Sequence, residues 1–381
     1  MNNIICYFNN AATTWPKPQS VVNTVCNSFK DPLVNSSRHC NCIKKTTDFD
    51  VVCKKKIKEL LNVGDTYDVV LTNGATYSAN IVINWLSKKN SNIKLITDNC
   101  CHNCIYRTHY EKIGSKPIII KDWNLLNIDN DNYYIAICHM NNVDGTLIDE
   151  SSLSKIILQA KKFNIPVIID ITQSAGTYDI NISSYNYDNL YVICSGHKGL
   201  YSIQGVGFLI CPHNSINIPL ISGGTGGVDG IDYKHTNSLE AGTCNEIAIN
   251  SLIAGIDYVK KNMDNIRIIK RMLVEYFISK YKNVSKQWQD LFTPVSVKNY
   301  ESGIISLRMN NIDKCSYIIQ KLTDEYGIVV RSGVHCSPLY HINILYCEST
   351  LRLSFSHFNT KSEIDYFYES IDKIFQNISI T

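Results

Sequence analysis

A lysine that directly follows an apolar run is placed to form a Schiff base. The run Leu190 to Cys194 leads into Ser195, Gly196, His197, Lys198 and Gly199. Burial favours the neutral, nucleophilic amine and therefore lowers the pKa of a lysine. The flanking hydroxyl and imidazole are suited to an anion such as a phosphate. A glycine-flanked lysine after a strand can equally be a solvated loop residue, so the pentapeptide needs support from elsewhere in the chain.

A carboxylate at the end of an apolar segment gives that support. Residues Pro166 to Ile169 predict a buried strand ending in Asp170, and Gln173 follows. A buried carboxylate without a partner is costly. The pyridinium nitrogen of pyridoxal phosphate is a suitable partner, because Asp170 keeps it protonated and the ring then acts as an electron sink. Gln173 is placed to reach the ring hydroxyl. The structural alternative is an aspartate that caps the next turn.

Two further turns between a strand and a helix offer groups for the phosphate and the ring face. Gly74 follows the predicted strand Val69 to Thr72 and opens a helical pattern. A glycine there lets backbone N–H groups at the helix N-terminus face an anion, and Thr76 adds a hydroxyl. His102 follows the predicted strand Ile93 to Thr97, where an imidazole can stack on a ring. A purely structural histidine is the alternative.

Nearly the whole chain, from Tyr7 to Thr360, resembles the class V aminotransferases and, within them, the cysteine desulfurases. The most specific segment is RSGVHCSPL, from Arg331 to Leu339, which resembles the short catalytic-cysteine loop of the group II, selenocysteine lyase-like desulfurases. The resemblance implies a PLP-dependent transferase of fold type I. It also implies a homodimer that converts L-cysteine to L-alanine and leaves a persulfide on Cys336.

The resemblance assigns roles to individual residues. Lys198, Cys336 and His102 are the implied catalytic residues. The implied ligands of pyridoxal 5'-phosphate are Gly74, Ala75, Thr76, His102, Asn142, Asp170, Gln173, Ser195, His197, Lys198 and Thr225, of which Thr225 serves the neighbouring subunit's phosphate. The implied substrate-binding residues are Ala12, Asn142, Arg331 and Arg352. The guanidinium of Arg352 is suited to clamp the substrate carboxylate, and His335 is expected to lower the pKa of Cys336.

Composition agrees with an ordinary globular enzyme. The chain has 381 residues, of which 44% are hydrophobic and 19% charged, with a net charge of +3, so neither nucleic acid nor a membrane surface is expected as a partner. It has no run of about 18 apolar residues that could span a bilayer. The family-like segment begins at Tyr7, so neither a signal peptide nor a transit peptide is expected. The 15 cysteines lack a regular spacing, which favours reduced thiols in a cytoplasmic protein.

Two cysteine clusters contain side chains that can bind metals. One has Cys40 and Cys42 with His39, and the other has Cys100, Cys101 and Cys104 around His102. A structural zinc site usually takes two pairs of ligands with two to four residues between the cysteines. Cys40 and Cys42 are too close for that pattern, and His102 is wanted at the cofactor. We therefore expect no metal.

The alternation of apolar strands with helical periods predicts the α/β class. A large PLP-binding domain over residues 21–255 is expected to hold a mostly parallel, seven-stranded-type sheet flanked by helices. Its strands lie at Val69, Ile93, Tyr133, Pro166, Leu190 and Val206, with a helix from Glu150 to Phe163. Residues 1–20 are expected to serve the active site and the small domain.

A long helical stretch from Asn245 to Lys282 precedes a small α/β domain over residues 256–381, which carries the cysteine loop. Gly303 to Arg308, Ile328 to Arg331 and Leu351 to Phe355 are expected to be strands. Helices are expected from Asp313 to Tyr326 and after Thr360. Residues of both domains are expected to meet at the active-site cleft.

Two other functions remain open at this point. A selenocysteine lyase, or another PLP-dependent carbon–sulfur lyase of the same family, has the same fold, and selenium can leave without attack by the cysteine. A noncatalytic scaffold that binds a partner is the third interpretation, although the presence of Lys198, Asp170, Arg352 and Cys336 argues against it. The desulfurase interpretation implies a small sulfur-acceptor protein and a role in iron–sulfur cluster assembly or the synthesis of another sulfur compound.

Overall fold

The structure is a computed structural model that describes residues 6–30, 48–224 and 239–378. Within these ranges the chain divides into two compact units. The smaller unit contains the described residues of Met1–Pro16, Met140–Leu147 and Asn262–Thr381, and the larger unit those of Lys17–His139 and Ile148–Lys261. None of the described helices combines the length and the apolar character needed to cross a bilayer.

The larger unit is built on a seven-stranded sheet. In spatial order its strands are Tyr67–Thr72, Gly207–Pro212, Leu190–Ser195, Val167–Asp170, Tyr133–Cys138, Lys94–Asp98 and Ile118–Ile120. Gly207–Pro212 runs antiparallel to both of its neighbours, and the other pairs are parallel. The apolar central strands are buried on both faces, as in parallel sheets covered by helices. The predicted α/β fold with a mostly parallel sheet is confirmed.

The larger unit also contains helices that precede the first strand of this sheet or follow its later strands. They are Gln19–Ser28, Phe49–Leu61, Ala75–Lys89, Asn103–Ile113, Glu150–Phe163 and the first part of Glu246–Tyr281, with short 3₁₀ turns at Trp123–Leu125 and Ile182–Tyr185. The helix Glu150–Phe163 has the predicted bounds. Its N-cap Asp149 accepts a hydrogen bond from the Ser152 N–H, and it ends at Asn164 with a φ of 50°, so both ends carry standard capping chemistry.

The smaller unit has its own sheet and core. Four antiparallel strands lie in the order Arg331–Gly333, Thr350–Ser354, Ile304–Met309 and Phe292–Pro294, and Cys6–Tyr7 pairs in parallel with Ile328–Val329. The helices are Lys286–Leu291, Ile312–Asp324, Pro338–Tyr340 and Lys361–Ile378, with a 3₁₀ turn at Tyr300–Ser302 and a π-helical turn at His341–Leu345. Aromatic side chains such as Trp288, Phe277 and Phe367 fill the core.

Two local features differ from the sequence predictions. The prediction of a single strand from Ile328 to Arg331 is wrong, because Ile328–Val329 and Arg331–Gly333 belong to different sheets. No local sequence pattern predicts that Met140–Leu147 packs with the smaller unit. This short loop is fixed there by the Asn299 side chain, which donates to the Gly145 carbonyl at 2.9 Å.

Candidate active site

The helix Ala75–Lys89 of the larger unit begins with an open N-terminus. Its N-cap Gly74 supplies no capping side chain, and its first turn contains no acidic residue. The N-cap Gly74 has a φ of 138°, and a Cβ there would lie 3.3 Å from the Ser195 Oγ. The Ala75 N–H donates to that Oγ at 2.9 Å, while Thr76 is exposed on the first turn. Such N–H groups favour a bound anion.

Lys198 lies in the turn after the strand Leu190–Ser195. Its side chain is of intermediate burial, and the predicted desolvation of its amine stays a prediction. The next residue, Gly199, is packed against another turn: its Cβ would lie 2.0 Å from the Ala175 carbonyl oxygen, and a Cβ on Gly176 would lie 2.1 Å from the Gly199 carbonyl oxygen. Two glycines therefore allow the lysine turn to contact the turn that follows Asp170, a contact that the sequence analysis missed.

Asp170 ends the central strand Val167–Asp170 and is 6% exposed. One carboxylate oxygen accepts a hydrogen bond from the Thr172 N–H at 2.9 Å, and the Thr172 hydroxyl accepts from the Ser195 N–H at 3.3 Å. The aspartate thus caps its turn, as the structural alternative holds. Its burial also suits a cationic partner, since a buried charge is stable only when it is paired and hydrogen-bonded. Gln173 is half-buried in the same turn.

His102 has a structural role in addition to any chemical one. It is the N-cap of the helix Asn103–Ile113, and its Nδ1 accepts from the Cys104 N–H at 3.1 Å. The proton of the neutral ring therefore lies on Nε2. Cys101 and Cys104 beside it are buried. Among the described residues, no group of three or more potential metal ligands comes together, and the cluster at Cys40 and Cys42 lies outside them.

His197 is neutral near pH 7. Burial, with the positive charges of Lys198 and Lys17, lowers its pKa to about 4. The Lys17 amine donates to the His197 carbonyl at 3.0 Å. His197 can therefore offer a phosphate a neutral hydrogen bond and no imidazolium charge.

In the smaller unit, two arginines lie opposite each other beside the cysteine loop. Arg331 pairs with Arg352 across the antiparallel ladder, a like-charge arrangement that is unfavourable without an anion. The Arg331 Nη2 lies 3.6 Å from the Cys336 Sγ. A cation at this distance stabilises a thiolate. The family resemblance implies a substrate-binding role for Arg331, and no local sequence pattern predicts its contact with the cysteine.

Arg352 has buried hydrogen-bond donors that no described residue satisfies. It is 1% exposed, and its Nη1 donates to the Asn142 carbonyl at 2.7 Å. Its Nε and Nη2 are buried and have no hydrogen-bond partner among the described residues. Burial, followed by the charge of Arg331, lowers its pKa to about 9. An unpaired buried guanidinium fits an incoming carboxylate, which accepts two parallel hydrogen bonds.

Asn142 joins the loop Met140–Leu147 to the cysteine loop. Its side-chain amide donates to the His335 carbonyl at 2.6 Å and accepts from the Ser337 hydroxyl at 2.7 Å. Both polar ends of the amide are thus used inside the smaller unit. The family resemblance implies that Asn142 lies near a cofactor ring, and no local sequence pattern predicts these bonds.

Cys336 sits in a strained turn. The Ser337 N–H donates to the Val334 carbonyl at 2.8 Å, and the two residues between them have φ values of 50° for His335 and 60° for Cys336. Positive φ at both central positions is typical of turns that prefer Asn and Gly. For other residues this region costs about 1–2 kcal/mol each. The surrounding contacts must therefore hold the turn.

The expected role of His335 is corrected. Its ring is buried, and burial together with the positive charge of Arg352 lowers its pKa to about 2. A neutral imidazole supplies no positive charge to stabilise the Cys336 thiolate. Arg331 is the cation that contacts the sulfur.

Two remaining predicted residues have different outcomes. Ala12 lies in the N-terminal segment, where the neighbouring Ala11 N–H donates to the Ser354 hydroxyl at 2.8 Å, two residues beyond Arg352 in the strand Thr350–Ser354. Thr225 lies outside the described residues.

The other predicted residues form two sets, one in each unit. The larger unit holds Gly74, Ala75, Thr76, His102, Asp170, Gln173, Ser195, His197 and Lys198, and the smaller unit holds Ala12, Asn142, Arg331, Cys336 and Arg352.

The set in the larger unit fits pyridoxal phosphate. The open helix N-terminus at Gly74 suits the phosphate, the buried Asp170 suits the pyridinium, and a lysine amine lies in a turn that contacts the aspartate's turn. A side chain at position 74 would crowd Ser195. Each feature matches one part of the cofactor's chemistry.

Comparisons with known proteins agree with this description. The aminotransferase class-V family model matches residues 6–367. A probable cysteine desulfurase of Borreliella burgdorferi is 27% identical over 99% of this chain and 93% of its own length. A cysteine desulfurase of Wigglesworthia glossinidia brevipalpis is 27% identical over 98% and 93%, respectively.

Solved structures show the same fold. The cysteine desulfurase CsdA of Escherichia coli, in an S-sulfonic acid form, aligns with a TM-score of 0.79 and 22% identity over 97% of this chain and 94% of that one. Because the family model spans nearly the whole chain, the protein belongs to the class V aminotransferase family.

Proposed function

We propose that this protein is a PLP-dependent cysteine desulfurase, which converts L-cysteine to L-alanine and leaves a persulfide on Cys336. One observation carries the proposal. The Arg331 guanidinium lies 3.6 Å from the Cys336 Sγ, and the opposite residue Arg352 has two buried donor nitrogens without a partner. A thiolate and a carboxylate are the two anions that this arrangement suits, and the reaction needs both.

The smaller unit's residues act on the substrate's carboxylate and sulfur. Arg352 binds and orients the carboxylate, while the Cys336 thiolate attacks the substrate sulfur. The sulfur–sulfur bond forms as the carbon–sulfur bond breaks, and the carbon keeps the electron pair and takes a proton. The sum is enzyme thiol plus L-cysteine giving enzyme persulfide plus L-alanine, and no outside oxidant or reductant is needed.

The larger unit's residues would hold the cofactor. Lys198 would tether it and move the α-proton of the substrate, and Asp170 would keep a proton on the pyridinium nitrogen. Gly74, Ala75, Thr76, Ser195 and His197 would hold the phosphate, with Gln173 at the ring hydroxyl and His102 at the ring face. When bound, pyridoxal phosphate withdraws electrons from the substrate's α-carbon. The proposal requires both sets of residues to act on one substrate molecule.

Other parts of the proposal rest on the family resemblance. It includes a homodimer in which Thr225 serves the neighbouring subunit, a cytoplasmic location and a small sulfur-acceptor protein that carries sulfur to iron–sulfur cluster assembly or another sulfur compound. Relatives named as cysteine desulfurases support the substrate.

Purified protein supplied with pyridoxal phosphate and L-cysteine tests the function. We expect release of L-alanine and of sulfide under a thiol reductant, and loss of both in Lys198→Ala and Cys336→Ser. Cys347→Ser is the matched control, because Cys347 is another half-buried thiol of the same unit. A Cys336→Ser variant that still desulfurates cysteine at the wild-type rate contradicts the proposal.

Selenocysteine separates the proposal from its nearest alternative. A desulfurase that depends on Cys336 loses cysteine turnover in Cys336→Ser, whereas a selenocysteine lyase keeps turnover of selenocysteine and has little with cysteine. Wild-type protein that acts on selenocysteine alone therefore favours the lyase.

A further inference from the structure

The turn that carries Cys336 is held by two side chains outside the RSGVHCSPL segment. The His335 Nε2 lies 3.1 Å from the Thr350 carbonyl oxygen and 3.0 Å from the Thr350 Oγ1. The His341 Nε2 lies 3.0 Å from the same Oγ1, and the His341 Nδ1 lies 3.0 Å from the Ser337 carbonyl oxygen. Thr350 therefore bridges the residue before Cys336 to a histidine that contacts the residue after it.

If both rings are neutral, each carries one proton, and only one arrangement of donors and acceptors satisfies this bridge. A carbonyl oxygen only accepts, so the His341 Nδ1 must donate to Ser337, which leaves the His341 Nε2 as an acceptor. The Thr350 hydroxyl has one hydrogen and gives it to that nitrogen. The His335 Nε2 must then donate to the Thr350 oxygens, which leaves its Nδ1 as the unprotonated nitrogen. The His335 Nδ1 is indeed buried without a hydrogen-bond partner in the described part of the chain.

The burial of these groups makes each hydrogen bond of the bridge costly to lose and keeps both rings neutral. His335 is 2% exposed, His341 1% and Thr350 0%, so a lost hydrogen bond leaves a buried polar atom unsatisfied, which is costly. Burial lowers the pKa of both histidines, which keeps each ring neutral with a single proton. A π-helical turn begins at His341, and such turns are frequent at functional sites.

We propose that Thr350 and His341 are positioning residues for Cys336, and that their ordered hydrogen bonds hold the His335–Cys336 turn in its strained conformation with the sulfur beside Arg331. The Asn142 amide also holds this turn, through the His335 carbonyl and the Ser337 hydroxyl. This inference rests on the proposed function, since it names residues that prepare the proposed nucleophile.

The proton arrangement is tested without any reference to activity. Ring ¹⁵N shifts of uniformly labelled protein, assigned with His335→Gln and His341→Gln, report the tautomer of each histidine. We expect His341 to carry its proton on Nδ1 and His335 on Nε2 at neutral pH. A His341 protonated on Nε2, or a charged ring at either position, overturns the arrangement and with it the proposal.

The positioning role is tested by separating two steps of one enzyme. Single-turnover formation of the Cys336 persulfide depends on the sulfur's position, whereas exchange of the α-proton of L-alanine in D₂O involves the cofactor and Lys198 without Cys336. Thr350→Val removes the hydroxyl and keeps the shape. Because a misplacement of about 1 Å can cost about 100-fold, we expect persulfide formation to fall by roughly 10- to 100-fold while α-proton exchange stays at the wild-type rate.

Conservative variants and a matched control complete the test. Thr350→Ser keeps the hydroxyl and should restore persulfide formation. Ser370→Ala removes a different fully buried hydroxyl of the same unit, one that bonds the Tyr366 carbonyl at 2.7 Å, and should change neither step. His341→Asn, which keeps the Ser337 contact and loses the acceptor for Thr350, should behave like Thr350→Val, while His341→Gln retains an acceptor and should be less impaired. The His341 pair carries the test if Thr350→Val does not fold.

Three results overturn the positioning role: wild-type persulfide formation in both Thr350→Val and His341→Asn, an equal loss of both steps, or failure of Thr350→Ser to restore the first step. The proposed function fails in a different way, when the wild-type protein itself forms no persulfide from L-cysteine.

Discussion

At the scale of single residues, the chemistry of the smaller unit follows from where two guanidinium groups lie. The family resemblance was sufficient to select Arg331, Cys336 and Arg352, because the segments RSGVHCSPL and Thr350 to Ser354 carry it. The pairing of the two arginines across the ladder depends on strand register. The sequence does not encode that register locally, so the contact of Arg331 with the Cys336 Sγ and the lowered pKa of His335 were not predicted.

Arg352→Ala should weaken the binding of L-cysteine. The loss of one charge-assisted contact corresponds to about 1.5–3 kcal/mol, or roughly 10- to 150-fold in affinity. The KM for L-cysteine under conditions where it approximates the dissociation constant measures this change. Cysteamine, which lacks the carboxylate, should compete equally well against wild type and variant.

Arg271→Ala is the matched control, because Arg271 is half-exposed in the same unit and its nearest carboxylate contact spans 3.9 Å. An unchanged KM for L-cysteine in Arg352→Ala would show that Arg352 does not bind the carboxylate. An equal loss of affinity for cysteamine would show the same.

At the scale of elements, the sequence predicted the strands and helices of the larger unit well, since strongly periodic segments with clear caps dominate it. The helix Glu150–Phe163 is the clearest case, with an acidic N-cap and an asparagine at its end. The prediction failed where backbone contacts decide the outcome. The close approach of Gly199 to Ala175 depends on two loops that are distant in sequence, and no local pattern encodes it.

Gly74→Ala should weaken the binding of pyridoxal phosphate. The position has a φ of 138°, and the added Cβ would lie 3.3 Å from the Ser195 Oγ at the helix N-terminus. Both effects move the N–H groups that we assign to the phosphate. Titration of the cofactor, followed by its visible absorbance, gives the dissociation constant.

Gly114→Ala is the control for backbone strain alone. Gly114 has a φ of 78° and no atom within 4 Å of the added Cβ, so the variant should lose stability by about 1–3 kcal/mol and keep its affinity for the cofactor. Equal losses of affinity in the two variants would show that the Gly74 effect reflects global destabilisation.

At the scale of the whole molecule, buried neutral histidines make stability depend on pH. Burial lowers the pKa of His109 from 6.5 to about 4, and the pKa of His139 likewise. The unfolded chain binds these protons below pH 6.5, whereas the folded protein does not bind them until about pH 4. The free energy of unfolding should therefore fall as the pH is lowered through this window, by up to about 1.4 kcal/mol per pH unit for each histidine.

His109→Gln should reduce the dependence of the free energy of unfolding on pH by the contribution of one histidine. His109 is fully buried and lies between the Tyr134 hydroxyl at 2.9 Å and the Ser115 hydroxyl at 3.1 Å. Urea denaturation at several pH values between 4 and 7 gives the slope. A His109→Gln slope equal to that of wild type would contradict the assignment.

The sequence predicts only part of how the chain divides into two compact units. Composition and periodicity indicate two α/β parts, yet the eight-residue segment Met140–Leu147 packs with the smaller unit through bonds from Asn299 and Ser306. Such bonds form between residues more than 150 positions apart, so no window along the chain contains them.

The central claim is that Cys336 takes the sulfur of L-cysteine, and one quenched single-turnover experiment tests it most directly. Holoenzyme is mixed with L-cysteine without reductant or acceptor, and alanine and the masses of the cysteine-containing peptides are measured together. We predict a burst of about one alanine per active site, one added sulfur atom on the Cys336 peptide, and slow turnover until a reductant or an acceptor thiol is added, because a short loop gives the persulfide little reach. Steady alanine release from the first turnover, with no sulfur added to Cys336, would contradict the account.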